Sequence, residues 1–183
     1  GANPSWGTVS SDFVKIAEVT PSGGEIAFNS VTSSDYKHYV LHLSQIAAAS
    51  GSQEPYLRFR EGTSNKTSND YYTTYHSSYY NGSNGGVNNN NNRATHMRLQ
   101  NWNFPDSGTY GSNMVIEFGN LAQDYPKVSM SGAILDANMA NIVNIRMAGI
   151  YNVSGANING FTIYNSGGAN FKSQGTATLY GLK

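Results

Sequence analysis

Residues 36–46 read YKHYVLHLSQI, and from Tyr39 to Leu43 an aromatic or leucine side chain stands at every second position. This period of two is the pattern of a β-strand that buries one face. Residues 47–52, AAASGS, break the pattern, and residues 56–60, YLRFR, resume it with apolar side chains between arginines. The two stretches are therefore predicted to be neighbouring antiparallel strands.

The same period recurs in short runs along the chain, each bounded by Gly, Asn, Ser or Pro. Further strands are predicted at 13–19, 25–29, 96–100, 114–118, 127–134, 144–151, 161–164 and 176–182. The turn signal PSGG at 21–24 predicts that the first two of these form a hairpin. Residues 133–145 have a loose helical spacing of apolar side chains, but they also contain asparagines, which are poor helix formers. At most a single helical turn is predicted there. Short strands with closely spaced turns predict an all-β fold, an antiparallel β-sandwich of jelly-roll type.

Length, charge and composition limit the number of domains and exclude several classes of function. The chain has 183 residues, which suits a single domain, predicted as residues 13–183 after an N-terminal extension at residues 1–12. The formal net charge is +0, so there is no basic excess to neutralise the phosphates of a nucleic acid. No run approaches the roughly 20 apolar residues of a membrane span. The absence of cysteine removes disulfides, thiolate metal sites and cysteine nucleophiles.

One region, residues 63–93, does not show the pattern of short apolar strands and is rich in polar residues and tyrosine. Residues 71–80, YYTTYHSSYY, are rich in tyrosine, which favours a strand. Because side chains alternate along a strand, its tyrosines would divide between two faces. One face would hold Tyr71, Tyr75 and Tyr79, and the other Tyr72 and Tyr80. Residues 81–92 follow with glycines and a run of asparagines, and this composition predicts a surface loop.

Sequence motifs for catalysis are absent. The chain has no G-x-S-x-G, Walker, G-x-G-x-x-G or H-E-x-x-H motif, and its one S-x-x-K match, at residues 34–37, lacks the S-D-N and K-T-G motifs that accompany it in β-lactamases. A glycosidase needs two carboxylates at a defined separation, which sequence does not measure. His38 and His42 would share one face of a strand but stand about 13 Å apart, too far to chelate one ion. His76 and His96 are interpreted as ordinary polar side chains. We therefore predict no enzyme activity, no cofactor and no metal centre.

The polar and mostly uncharged surface suggests a ligand of similar chemistry. Sugars are bound by flat aromatic faces together with amide and hydroxyl groups, because desolvated sugar hydroxyls need hydrogen-bond partners. Residues 70–92 supply both kinds of group, and a tryptophan follows between two asparagines. The candidate glycan-binding residues are Tyr72, Tyr75, Tyr79, Tyr80, Asn84 and Trp102. The alternative is that the tyrosines fill the core of the sandwich or an interface between subunits.

Two segments carry a family resemblance. Residues 36–46, preceded by IAF at 26–28, resemble the opening of a domain common in bacteriophage virion proteins, with the motif YKxYxxxxxxI after an ISFxxI strand. Residues 158–183 are similar to the IxGFxxxxxSGNxxxGTxxLYGL ending of phage tail fibre and other appendage proteins, from which GAN at 168–170 departs slightly. The resemblance implies a fibre domain that assembles as a homotrimer, with upstream fibre or other virion proteins as partners.

Three hypotheses follow from the residues and the resemblance. The first is a phage tail fibre or appendage domain that attaches to a host-cell surface receptor, a polysaccharide for example, through loops within residues 63–112. The second is a capsid-decorating or head-fibre assembly domain without a glycan ligand. The third is a polysaccharide depolymerase, or a secreted carbohydrate-binding module. The first two place the protein in the virion, and none of the three involves nucleic acid or insertion into a membrane.

Overall fold

The computed structural model describes residues 12–51, 53–80, 84–100, 103–106, 110–135 and 142–183. Within these ranges the chain forms thirteen β-strands and no helix. They are β1 (Phe13–Val19), β2 (Glu25–Phe28), β3 (His38–Ile46), β4 (Pro55–Glu61), β5 (Ser64–Asn65), β6 (Tyr71–Tyr80), β7 (Asn84–Ala94), β8 (Met97–Arg98), β9 (Ser112–Gly119), β10 (Lys127–Leu135), β11 (Ile142–Tyr151), β12 (Gly160–Asn165) and β13 (Thr176–Leu182). The predicted all-β fold is confirmed.

Two sequence predictions fall partly outside the described ranges. Of the extension predicted at residues 1–12, the structure describes Asp12 alone. Of the stretch weighed as a helical turn, residues 133–145, the first part ends β10 and the last part begins β11, while residues 136–141 lie outside the described ranges.

The strands form two antiparallel sheets. The large sheet has eight strands in the order β1-β13-β3-β9-β10-β11-β6-β7. The small sheet has the order β2-β12-β4-β5, and β8 also pairs with β4. Aromatic side chains join the two sheets: the rings of Phe118 on β9 and Phe161 on β12 stack with centroids 4.3 Å apart. This arrangement is the predicted β-sandwich.

Two strand pairings predicted from neighbouring segments are wrong. β1 pairs with β13 and β2 with β12, so the PSGG turn joins the two sheets instead of closing a hairpin. Likewise β3 lies between β13 and β9, whereas β4 pairs with β12 in the other sheet. A period of two shows that one face of a strand is buried, but it does not identify the neighbouring strand. In both of these cases the two consecutive strands lie in opposite sheets.

Of the asparagine-rich segment predicted as a loop, residues 84–92 belong to strand β7, and residues 81–83 lie outside the described ranges. This strand runs antiparallel to β6, beginning with Asn84 opposite Tyr80. β7 is the last strand of the large sheet, so it needs a partner on one side only and many of its side chains stay in water. Backbone pairing with β6 therefore outweighs the low strand propensity of asparagine and glycine. The backbone of β7 lies close to the Tyr79 ring at Gly85, where an added Cβ would be 2.2 Å from the Cζ atom of Tyr79. This position therefore has no room for a side chain while the Tyr79 ring stays in place.

An aromatic cluster fixes the position of β6 and β11 in the sandwich. Phe59 of β4 is fully buried, and its ring centroid lies 6.1 Å from that of Tyr71 on β6 and 5.8 Å from that of Tyr151 on β11. The Tyr71 hydroxyl accepts a hydrogen bond from the Phe59 amide at 3.0 Å and donates one to the Lys66 carbonyl at 3.0 Å. Burial raises the pKa of the Tyr71 phenol. With their inner faces held in this way, β6 and β11 turn their outer faces to solvent.

Candidate functional site

The tyrosines of β6 divide between the two faces of the sheet as their spacing predicts. Tyr71 and Tyr75 point into the core and are 0% and 3% exposed. Tyr75 therefore follows the alternative of core packing, and its ring is out of reach of a ligand in solvent. Tyr79 is half-buried against the same core. Tyr72 is half-buried on the outer face, and Tyr80 is 58% exposed at the end of the strand.

The other two candidate residues do not join the accessible tyrosines in one site. Asn84 begins β7, where its backbone pairs with that of Tyr80. Trp102 lies outside the described residues. The two tyrosines on the outer face, Tyr72 and Tyr80, stand at opposite ends of β6, about 26 Å apart at the usual rise per residue. A single small ligand therefore cannot contact both.

A groove runs along the outer face of β6, β7 and β11 and begins at Tyr72. It consists of two depressions of about 550 Å³ each, which share Thr74, Asn90 and Ala148. These three residues lie side by side, because Thr74 is opposite Asn90 on β7 and opposite Ala148 on β11. Each volume is within the range of ligand-binding pockets, roughly 300–1,000 Å³. We call this surface the outer groove.

Most polar groups that line the outer groove are uncharged amides and hydroxyls, and two cationic side chains stand beside them. Asn88, Asn90 and Asn92 of β7 contribute at every second residue, so the groove follows β7 for about 13 Å. Tyr72 lies at one end, and His76 lies at the other, where its Nδ1 atom is 2.5 Å from Oδ1 of Asn88. Amides offer both donors and acceptors, and the tyrosine ring offers an apolar face. This surface has the chemistry that sugar binding requires.

Sequence reasoning missed most residues of the outer groove. Thr74 and His76 share a face with Tyr72 by the period of two, and this signal could have identified them. The contribution of β11, which includes Ala148 and Arg146, had no local signal, because it depends on the pairing of β11 with β6.

A second polar cluster lies on the outer face of the small sheet. The rings of Tyr56 and His96 stack with centroids 4.0 Å apart, and the Arg58 guanidinium lies 4.7 Å from the centre of the Tyr164 ring. Tyr56 donates a hydrogen bond to Glu54 at 3.0 Å. Burial, with the nearby guanidinium groups of arginines, lowers the pKa of His96 to about 4. The imidazole is therefore neutral at neutral pH and acts as a packing group.

The lowered pKa of His96 predicts a loss of stability in mild acid. The unfolded chain, with an ordinary histidine pKa of 6.5, takes up a proton between pH 6.5 and 4 that the folded chain excludes. Stability is therefore full above pH 6.5 and falls as the pH drops toward 4. Because the ring is only partly buried and solvent screens part of the effect, we expect the free energy of unfolding to decrease by about 1 kcal/mol between pH 7.5 and 5, measured by urea denaturation at each pH.

The matched variant is His96→Phe, which keeps a flat ring against Tyr56 and cannot titrate. The other three histidines remain in both proteins, so the difference between the two pH profiles isolates His96. Parallel profiles for the wild type and His96→Phe would show that His96 does not change its protonation on unfolding.

Three further kinds of evidence about function are a metal site, a membrane-spanning helix and a known relative. In the described parts of the chain, no three His, Asp or Glu side chains are grouped so that they could hold a metal ion. The same residues include no helix that is long and apolar enough to cross a membrane. The chain matches no known family model, no curated protein and no solved structure.

Proposed function

We propose that this chain is a virion domain of a phage tail fibre or similar appendage and that it attaches to a polysaccharide on the host-cell surface without catalysis. The resemblance of its two ends to phage appendage proteins supports the virion assignment. The β-sandwich supports attachment in a general way, since a rigid scaffold can present a binding surface. The ligand class rests on the outer groove.

One observation carries the choice of a polysaccharide: the outer groove combines neutral hydrogen-bonding groups with room for a ring to lie on the sheet. The Asn90 amide and the Thr74 hydroxyl stand beside a floor that includes the small Ala148 and Gly149. Sugar hydroxyls that leave water need such partners, because an unpaired buried hydroxyl is unfavourable. Tyr72, at one end of the groove, offers an aromatic ring for the apolar face of a sugar.

Attachment through such a shallow groove depends on several copies acting together. Linked sites raise the effective concentration of the second and later contacts, so a modest intrinsic affinity becomes firm binding. A homotrimer, as the resemblance implies, would supply three grooves on one fibre tip. The proposed function therefore includes a trimer and a virion location.

The experiment that tests the proposal is binding of the fluorescently labelled chain to a panel of bacterial strains. We expect binding to some strains, loss of binding after periodate cleaves the sugar diols of the cell surface, and competition by polysaccharide extracted from the same strain. No new reducing ends should appear in that polysaccharide. Binding that survives periodate and disappears after protease treatment of the cells would contradict the polysaccharide ligand, and released reducing ends would indicate a depolymerase.

An exposed apolar patch favours a second candidate function, an assembly domain of the capsid or fibre. Ile142 of β11 and Tyr80 of β6 are cross-strand partners, and they are 63% and 58% exposed. Tyr110 is 47% exposed and lines a cavity of about 230 Å³ together with Ile142. Such patches are typical of contact surfaces between proteins. Under this alternative, light scattering on a sizing column would show a stable oligomer, and no strain would be bound through its glycans.

A further inference from the structure

Two cationic side chains line the outer groove. Arg146 of β11 is the cross-strand partner of His76 and lines one depression, and Lys127 of β10 is the partner of Ile150 and lines the other. Within the described residues, neither cation has a carboxylate at ion-pair distance. Four other cations do, in the pairs Lys15–Glu18, Arg60–Glu25, Lys66–Glu61 and Arg98–Glu54.

The lining of the outer groove contains no aspartate or glutamate. Glu117 lines an adjoining depression with Arg146, but its carboxylate is beyond ion-pair distance and accepts a hydrogen bond from the Ser129 hydroxyl at 3.0 Å. The lining of the outer groove thus holds two positive charges and no negative one, in a chain whose formal net charge is zero. The charge that would complement this arrangement is negative.

The spacing of the two cations suits a ligand with repeated acidic groups. Arg146 is four residues from Ile150, and Ile150 is opposite Lys127 on the next strand. Strand geometry therefore separates the two backbone positions by about 14 Å. An arginine guanidinium binds a carboxylate through two parallel hydrogen bonds, whereas a lysine ammonium acts as a point charge. A chain of acidic sugars that lies along the groove would meet both.

We propose that the ligand of the outer groove is an acidic polysaccharide whose carboxylates contact Arg146 and Lys127. This inference rests on the proposed glycan-binding function and adds the chemical class of the sugar. Asn90 and Thr74 bind the sugar hydroxyls, and the two cations select the charged polymer over a neutral one. Because both cations are close to water, salt screens the attraction: the Debye length falls from about 30 Å at 0.01 M to about 8 Å at 0.15 M ionic strength.

The probe is polygalacturonate, a polymer of uronic acid, compared with its carboxyl-reduced neutral form by titration calorimetry. We expect polygalacturonate to bind more tightly than the reduced polymer, with an affinity that falls as salt is added. Arg146→Gln and Lys127→Gln should each weaken polygalacturonate binding by about fivefold to tenfold. Lys37→Gln, which removes one positive charge from an exposed position that does not line the groove, should leave it unchanged.

Each other outcome overturns the inference in a recognisable way. Equal binding of both polymers would exclude a role for the carboxylates and leave the proposed function standing. An equal loss in Lys37→Gln would show attraction by overall charge without a site. Tighter binding of poly(glycerol phosphate) would replace carboxylate by phosphate. Binding of neither polygalacturonate nor its reduced form would overturn the acidic ligand, and the strain panel would then decide the proposed function separately.

Discussion

Replacement of Phe59 by alanine is expected to lower the free energy of unfolding by about 3–5 kcal/mol, a large part of the stability of a domain this size. The side chain is 0% exposed, and its ring lies within 6.5 Å, between centroids, of the Tyr71, Tyr151 and Phe118 rings. Phe59 belongs to the small sheet, and its three partners lie on three different strands of the large sheet, so the cavity cannot be closed by a shift of one strand. The loss combines the lost transfer energy of the ring with the energy of the cavity.

Urea denaturation of Phe59→Ala, monitored by circular dichroism, measures this loss through the shift of the midpoint. The control is Phe13→Ala on β1, where the phenylalanine is 49% exposed and its ring is 6.3 Å from that of Tyr180. We expect this control to lose about 1 kcal/mol or less, because little apolar surface returns to water. Equal losses at the two positions would contradict the assignment of Phe59 to the centre of the core.

Replacement of Ala148 by tryptophan is expected to abolish glycan binding with little change in stability. Ala148 is exposed on the outer face and lines both depressions of the outer groove, so the indole would occupy the space of the ligand. The expected loss is about 30-fold or more in affinity, equivalent to roughly 2 kcal/mol, as for a central contact of an interface. The melting temperature should change little, because substitutions at exposed positions generally have small effects.

The matched control is Ala133→Trp on β10, which is exposed on the same face of the large sheet but does not line the outer groove. It should keep glycan binding to the strains that the wild type binds. Ala133 lines the cavity beside Ile142 and Tyr110, so under the assembly alternative this variant would shift the oligomeric mass instead. Full binding by Ala148→Trp would remove the outer groove as the attachment site.

In the tyrosine-rich segment, the local sequence pattern predicted which rings are buried but not where a ligand could bind. The alternation of Tyr71, Tyr72 and Tyr75 predicted correctly which rings face the core and which face solvent, because the pleat of a strand is a local property. The same alternation did not show that the outward face of Tyr72 adjoins a groove. That groove needs Asn90 and Ala148, and both are supplied by other strands.

The failures of local prediction have one physical cause. The segment 81–92 has the composition of a loop, and residues 84–92 are nevertheless strand because β6 offers them a row of backbone hydrogen bonds. The predicted hairpin between β1 and β2 fails because each strand finds its partner near the C-terminus, in β13 and β12. Backbone donors and acceptors are the same at every residue, so they do not encode the choice of partner.

Local pattern was enough to predict a fold of antiparallel strands and to indicate which side chains of the apolar strands are buried, since a period of two in apolar residues reflects the local geometry of a strand. Three features depend on the folded chain as a whole: which strands are neighbours, the position of β7 as an edge strand of the large sheet, and the placement of Arg146 and Lys127 in the same groove as Thr74 and Asn90. These features depend on how two sheets bury their apolar faces against each other, which is a property of the whole chain.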